Sequence, residues 1–109
     1  MEPSVVVRPD AERVRVIRCV GDFDQDTLAP LTTAAQEAAE APELRRIVLD
    51  VSAVTFADTS MLNLMLRLLR TERLVLAGPL PAPLRRLLEL TQVLELFPVA
   101  DSVTAARAL

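Results

Sequence analysis

Ile47-Val48-Leu49-Asp50-Val51 is apolar on both alternating faces, and a strand of that kind must be covered on two sides. Met61-Leu62-Asn63-Leu64-Met65-Leu66-Arg67-Leu68-Leu69-Arg70 follows it closely and carries apolar residues at helical spacing. A two-faced strand leading into an apolar helix excludes most all-β and all-helical designs. With strands and helices alternating along the chain, it calls for an α/β arrangement with right-handed crossovers and a largely parallel sheet.

The remaining segments extend this pattern. Val5-Val6-Val7 within Ser4–Arg8 and the longer run Arg13–Val20 are β-branched stretches separated by Pro9-Asp10-Ala11, which predicts an opening antiparallel hairpin. In the second run Val14 and Val16 fall on one face and Ile17 and Cys19 on the other, as in an interior strand; Gly21 is expected to end it. Thr27 is placed as the cap of a helix with Pro30 in its first turn and a stripe of Leu31, Ala34, Ala35 and Ala38, closed by Pro42. Leu74-Val75-Leu76-Ala77 predicts a short strand stopped by Gly78-Pro79. A helix from near Pro83 presents Leu84, Leu87 and Leu88, Val93–Phe97 is read as a strand, and Asp101 caps a last helix with Val103, Ala106 and Leu109 inward. The expected order is β-β-α-β-α-β-α-β-α: a mixed sheet, antiparallel hairpin first and parallel strands after, with about four helices. Nothing divides residues 1–109, so one domain is expected.

Composition removes several functions. The formal charge of −3 speaks against nucleic-acid or anionic-membrane binding. No apolar run reaches the length of a membrane span, the N-terminus lacks a signal-peptide pattern, and the single Cys19 fits a reducing, cytoplasmic setting. With no histidine, the usual nucleophile pairs and imidazole metal ligands cannot be assembled. The two glycines, Gly21 and Gly78, cannot build a phosphate-binding loop or a dinucleotide fingerprint. A non-enzyme without cofactor or metal is expected. Asp22-Phe23-Asp24-Gln25-Asp26 opens like a calcium loop. Thr27 then stands at the sixth position and Thr33 at the twelfth, where such loops need Gly and Glu, so a solvated acidic loop is the simpler reading.

Asp58-Thr59-Ser60 carries the remaining chemistry. Two hydroxyls and a carboxylate sit where a buried strand hands over to a helix, whose first N–H groups lack partners and carry the positive end of the dipole. A plain cap, an anion site and a phosphorylation switch all fit such a place. In the helix behind, Met61, Leu64, Met65, Leu68 and Leu69 form a core-facing arc, and Leu62 and Leu66 widen it beyond what one sheet face covers. Asn63, Arg67 and Arg70 make a narrow polar strip. Leu62 and Leu66 are either flank positions under neighbouring loops or an Arg-rimmed docking patch.

The whole chain resembles a known family. Gly21-Asp22-Phe23-Asp24 before a helix is similar to its Gly-x-x-Asp segment. Ile47–Ser52 with Val54-Thr55-Phe56-Ala57-Asp58-Thr59-Ser60 is similar to its strand and Asp-Ser-Ser/Thr-Gly switch. The family is the STAS domain, and specifically the bacterial anti-sigma factor antagonists. The resemblance implies a STAS-like mixed sheet and a partner that is both an anti-sigma factor and a serine/threonine kinase. Unphosphorylated antagonist binds that partner and releases a sigma factor. Phosphorylation at Thr59, with Ser60 as neighbour, switches it off, and a serine/threonine phosphatase reverses the mark. ATP belongs to the partner. Asp24 and Asp58 are the implied acidic neighbours of the kinase contact, and Met61, Leu62, Asn63, Leu66 and Arg67 the implied docking face. Met61 stands where the family motif has Gly, placing an apolar side chain beside the acceptor. Rival readings are a non-phosphorylated STAS interaction module in a regulatory assembly and a small-ligand or nucleotide-binding STAS domain using the strand-end pocket.

Overall fold

The computed structural model describes residues 2–109. Strands β1 (Ser4–Val7), β2 (Val14–Phe23), β3 (Arg46–Ala57), β4 (Leu74–Ala77) and β5 (Val99–Ala100) lie side by side in that order. β1 pairs antiparallel with β2, and every later pair is parallel. Helices α1 (Ala29–Ala39), α2 (Thr59–Leu69), α3 (Ala82–Leu90) and α4 (Val103–Arg107) complete the mixed α/β architecture that the sequence implied.

The two faces have separate cores. Ile17, Cys19, Ile47, Leu49, Leu74 and Leu76 pack under α1, α2 and α3 with Leu31, Ala35, Ala38, Met61, Met65, Leu84 and Leu88. Val14, Val16, Val48, Val75, Ala77 and Ala100 pack on the opposite face against Ala106 of α4. The split of Val14 and Val16 from Ile17 and Cys19 is the one read from alternation. Burial pushes the Cys19 thiol well above its ordinary pKa, so the residue is an inert core member.

Most polar groups in this interior are matched; among the described residues the buried Arg46 Nε is the side-chain atom left without a hydrogen-bond partner. Asp50 is buried and sits opposite Arg18 across the β2–β3 ladder. It receives Arg18 Nη1 at 3.3 Å, Ser52 Oγ at 2.8 Å and Ser52 N at 3.2 Å. Arg73 donates to the carbonyls of Ala39, Ala41 and Leu44 at 2.8–3.0 Å, closing the C-terminal end of α1 over the start of β3.

Several boundaries differ from those the sequence suggested. Gly21 does not end β2. It lies inside the strand with φ +100°, at a register shift, and a Cβ there would come within 2.6 Å of the Glu2 carbonyl oxygen. β3 runs on through Ala57, because the ladder to β2 continues past Val51. Thr27 does not cap α1: its hydroxyl donates to Asp22 O, and Leu28 is the N-cap without a side-chain bond. The stretch Val93–Phe97 is no strand but contains a 3-10 turn, Leu94–Leu96, with Phe97 packed in the core; the fifth strand follows at Val99. Ser102, not Asp101, caps α4 by accepting from Ala105 N, and Leu109 is exposed.

Gly21→Ala should therefore destabilise the fold by about 1–3 kcal/mol through backbone strain and close approach together. Urea unfolding of the two proteins measures it; equal midpoints would show that the position tolerates a side chain.

Candidate functional site

Everything of chemical interest gathers at the carboxyl end of β3, where it meets the end of β2 and the start of α2. Open parallel sheets present their sites at this edge, since the strands stop and helix N-termini begin there. Asp58 is the pivot. Its backbone is extended (φ −110°, ψ −173°), and its Oδ1 accepts Ser60 N at 2.8 Å and Met61 N at 3.3 Å, capping α2. Its Oδ2 accepts Gln25 N at 3.2 Å, and its own N–H donates to Phe23 O at 3.2 Å. One residue thus fastens the helix start to the end of β2 and to the β2–α1 loop.

That loop is folded by its own acids. Asp24 Oδ1 accepts Asp26 N at 2.9 Å and Thr27 N at 3.1 Å, an Asx-type turn, and Thr27 Oγ1 accepts Asp24 N at 3.0 Å. Of the three carboxylates that resembled a calcium loop, Asp24 is the one whose oxygen shapes the turn, and among the described residues no group of three or more His, Cys, Asp or Glu could hold a metal ion. Asp22 accepts a short hydrogen bond from the Thr55 hydroxyl, and this bond is the main cause holding its carboxyl below the usual range.

Thr59 is the first residue of α2, and it is exposed. Ser60 is half-buried beside it, and Asn63 and Arg67 are exposed farther along, with Leu66 half-buried between them. Met61 and Leu62 belong elsewhere: both are buried in the core, at 0% and 5% exposure. The sequence implied that these two help form a docking face. Their burial removes them from any contact surface and also means that Met61 does not stand over the Thr59 hydroxyl. Leu62 is a flank position packed inward.

Ser60, Asn63, Leu66, Arg67 and Arg70 line a depression of about 510 Å³ whose far wall is Leu28 at the head of α1. Asp24 and Asp58 are not among its lining residues, and both are occupied by the internal bonds described above. Two features escaped sequence reasoning. Phe56 is 48% exposed beside the site. It pairs with Asp22, while the next pair, Phe23 with Ala57, enters the core, so Phe56 faces away from α1 and α2. The Gln25–Asp58 tether is also invisible in sequence, because a backbone donor has no residue signature.

Among the described residues no helix is long and apolar enough to cross a membrane. A mixed sheet with an exposed threonine at the capped head of its second helix defines a small α/β fold. A family model described as "Mlab, STAS domain" matches residues 7–98, and the chain belongs to the STAS domain family. Solved structures agree on the fold. An anti-sigma factor antagonist from Mycobacterium paratuberculosis superposes with a TM-score of 0.84 at 22% identity, covering 97% of this chain and 92% of the other. SpoIIAA in its unphosphorylated form gives 0.77 at 18% identity, with 97% and 98% covered. The Bacillus cell fate determinant SpoIIAA in the phosphorylated form gives 0.72 at 17%, with 96% and 98% covered. No curated protein matches the sequence.

Two outcomes test this geometry. Asp58→Ala should cost about 0.5–2 kcal/mol from the lost cap and speed hydrogen exchange at the Gln25 amide; unchanged exchange there would deny the tether. Thr55→Val should let the Asp22 carboxyl titrate closer to an ordinary carboxylate, read by carbon NMR. The sign follows from the depressed pKa: the Thr55 bond favours the ionised form, so its contribution holds at neutral pH and fades as acid protonates Asp22.

Proposed function

We propose that this chain is a cytoplasmic, single-domain anti-sigma factor antagonist, non-enzymatic itself, that binds an anti-sigma factor with serine/threonine kinase activity and thereby releases a sigma factor. Phosphorylation at Thr59 switches the binding off, with Ser60 as the secondary acceptor and a serine/threonine phosphatase restoring the active form. Asn63, Leu66 and Arg67 contribute to the docking face, with Asp24 and Asp58 shaping its upper rim.

The observation that carries this reading is the exposed Thr59 hydroxyl. It lies directly after the Asp58 cap, at the strand end, in a fold shared with a protein solved in phosphorylated and unphosphorylated forms. The physics supports a switch in binding without a change of fold. A phosphate adds roughly −1.5 to −2 charges. At a helix N-terminus the fold tolerates it or gains about 0.3–1 kcal/mol. Pressed into a partner surface without counter-charge, the same group costs several kcal/mol, and about 3 kcal/mol is a factor of roughly 100 in affinity.

The test is incubation with ATP and candidate anti-sigma kinases, followed by intact mass and by binding measurements. Wild type should gain one phosphate and lose affinity. Thr59→Ala should bind and resist modification, and Thr59→Glu should bind about 100-fold more weakly. Full binding by Thr59→Glu would overturn the switch. Binding without any added phosphate would instead favour a constitutive interaction module.

A further inference from the structure

The depression beside α2 does not end at Arg67. A second one, of about 200 Å³, adjoins it and shares that residue, with Ala35, Ala39, Leu64 and Leu68 as its apolar lining and Thr32 and Gln36 at its rim. The two meet at Arg67 and together follow the second helix from Ser60 to Arg70, about 15 Å at 1.5 Å per residue, with residues of α1 lining the smaller one. An open channel of that length with an apolar floor suits a peptide segment better than a compact small molecule.

Its charge is one-sided. Arg67 and Arg70 both line it, three residues apart on one helix face, and no carboxylate does. Neither guanidinium has a hydrogen-bonded or ion-pair partner among the described residues, a state they share with Arg8, Arg46, Arg85 and Arg86, whereas Arg13, Arg15, Arg18, Arg45, Arg73 and Arg107 are all engaged. A nearby acid on α1, Glu40, accepts from Gln36 instead. In a chain of net charge −3, two free cations are thus held over an apolar trough, with the Ser60 hydroxyl and the Asn63 amide in line with them.

We propose that the α1–α2 groove docks an acidic amphipathic segment of a partner protein. Its carboxylates pair with Arg67 and Arg70, and its small apolar side chains lie against the half-buried Ala39 and Leu66. The inference deepens the reading of α2 as a docking face and rests on it. It adds the chemistry of the bound segment, and it brings α1 into the interface.

The experiment uses the full chain, nitrogen-15 labelled, and a capped helical peptide of about 14 residues with Glu and Ala/Leu at alternating i, i+4 faces. A copy with Lys in place of each Glu is the control. Saturable amide shifts along residues 28–39 and 60–70 are expected with the acidic peptide, at least about tenfold tighter than with the Lys copy. The double variant Arg67→Glu/Arg70→Glu should reverse the preference. Arg67→Gln/Arg70→Gln, milder for the fold, should abolish it. Three results would each overturn the proposal: no saturable shift at millimolar peptide, shifts centred elsewhere such as around Phe56, or equal binding by the charge-reversed variant. The same shifts on raising protein concentration alone would assign the groove to a second copy, overturning it too. Failure of the antagonist reading looks different: the acidic peptide binds, yet no anti-sigma kinase does. Conversely, a kinase that modifies Thr59 and binds the charge-reversed variant as tightly as wild type would sink only the groove.

Discussion

The Asp58 carboxylate is the joint on which this end of the molecule turns. One oxygen satisfies two N–H groups at the head of α2, and the other holds the loop that leads into α1. Helix starts leave donors that must be met by something, and a carboxylate there is also favoured by the helix dipole. Thr59, held at the next position, is exposed because its neighbour does the capping. A hydroxyl that had to cap the helix would be tied down; here it is left accessible.

The sheet explains why this joint is stiff. β3 is covered on both faces along its first half, by the three-helix core on one side and α4 on the other. Its second half then gains residues relative to β2. Between the pairs Arg18–Asp50 and Val20–Ala53, β3 has one residue more than β2, and again between Gly21–Val54 and Asp22–Phe56. Such bulges re-aim a strand and commonly sit beside functional edges. Gly21, with its positive φ, is the residue that lets β2 follow the turn.

Those bulges also mark where sequence reasoning stopped. The first half of β3, β4, the α1 stripe and the two-faced β2 obey simple periods, so their residues announced their sides. Beyond Val51 the period breaks twice, and with it the signal that would have shown β3 continuing or Phe56 turning outward. The capping errors share one cause. Thr27, Asp101 and Ser102 are all competent caps by residue type, and tertiary bonds, such as Thr27 to Asp22 O, decide which is used. Around the site, the hydroxyl pair and the Asp cap were legible because they sit at a strand-to-helix junction. The width of the apolar arc on α2 was legible too, but not its meaning. Leu62 turns inward and Leu66 only halfway, so the exposed strip is more polar than the helix composition suggests.

The proposed switch and the proposed groove constrain each other through distance. Ser60 and Arg67 lie seven residues apart, about 10 Å along the helix axis, and Thr59 is farther still. Screening at physiological salt acts over about 8 Å, so a charge on Thr59 cannot neutralise Arg67 and Arg70 from where it stands. Its effect on a bound partner has to be local: a hydrated dianion that the partner must strip of water. A charge on Ser60 would act by another route. That residue lines the same depression as Asn63, Arg67 and Arg70. A phosphate there would offer the arginines an internal anion in place of an external one. The two adjacent hydroxyls are therefore not interchangeable: Ser60 lines the depression and Thr59 does not.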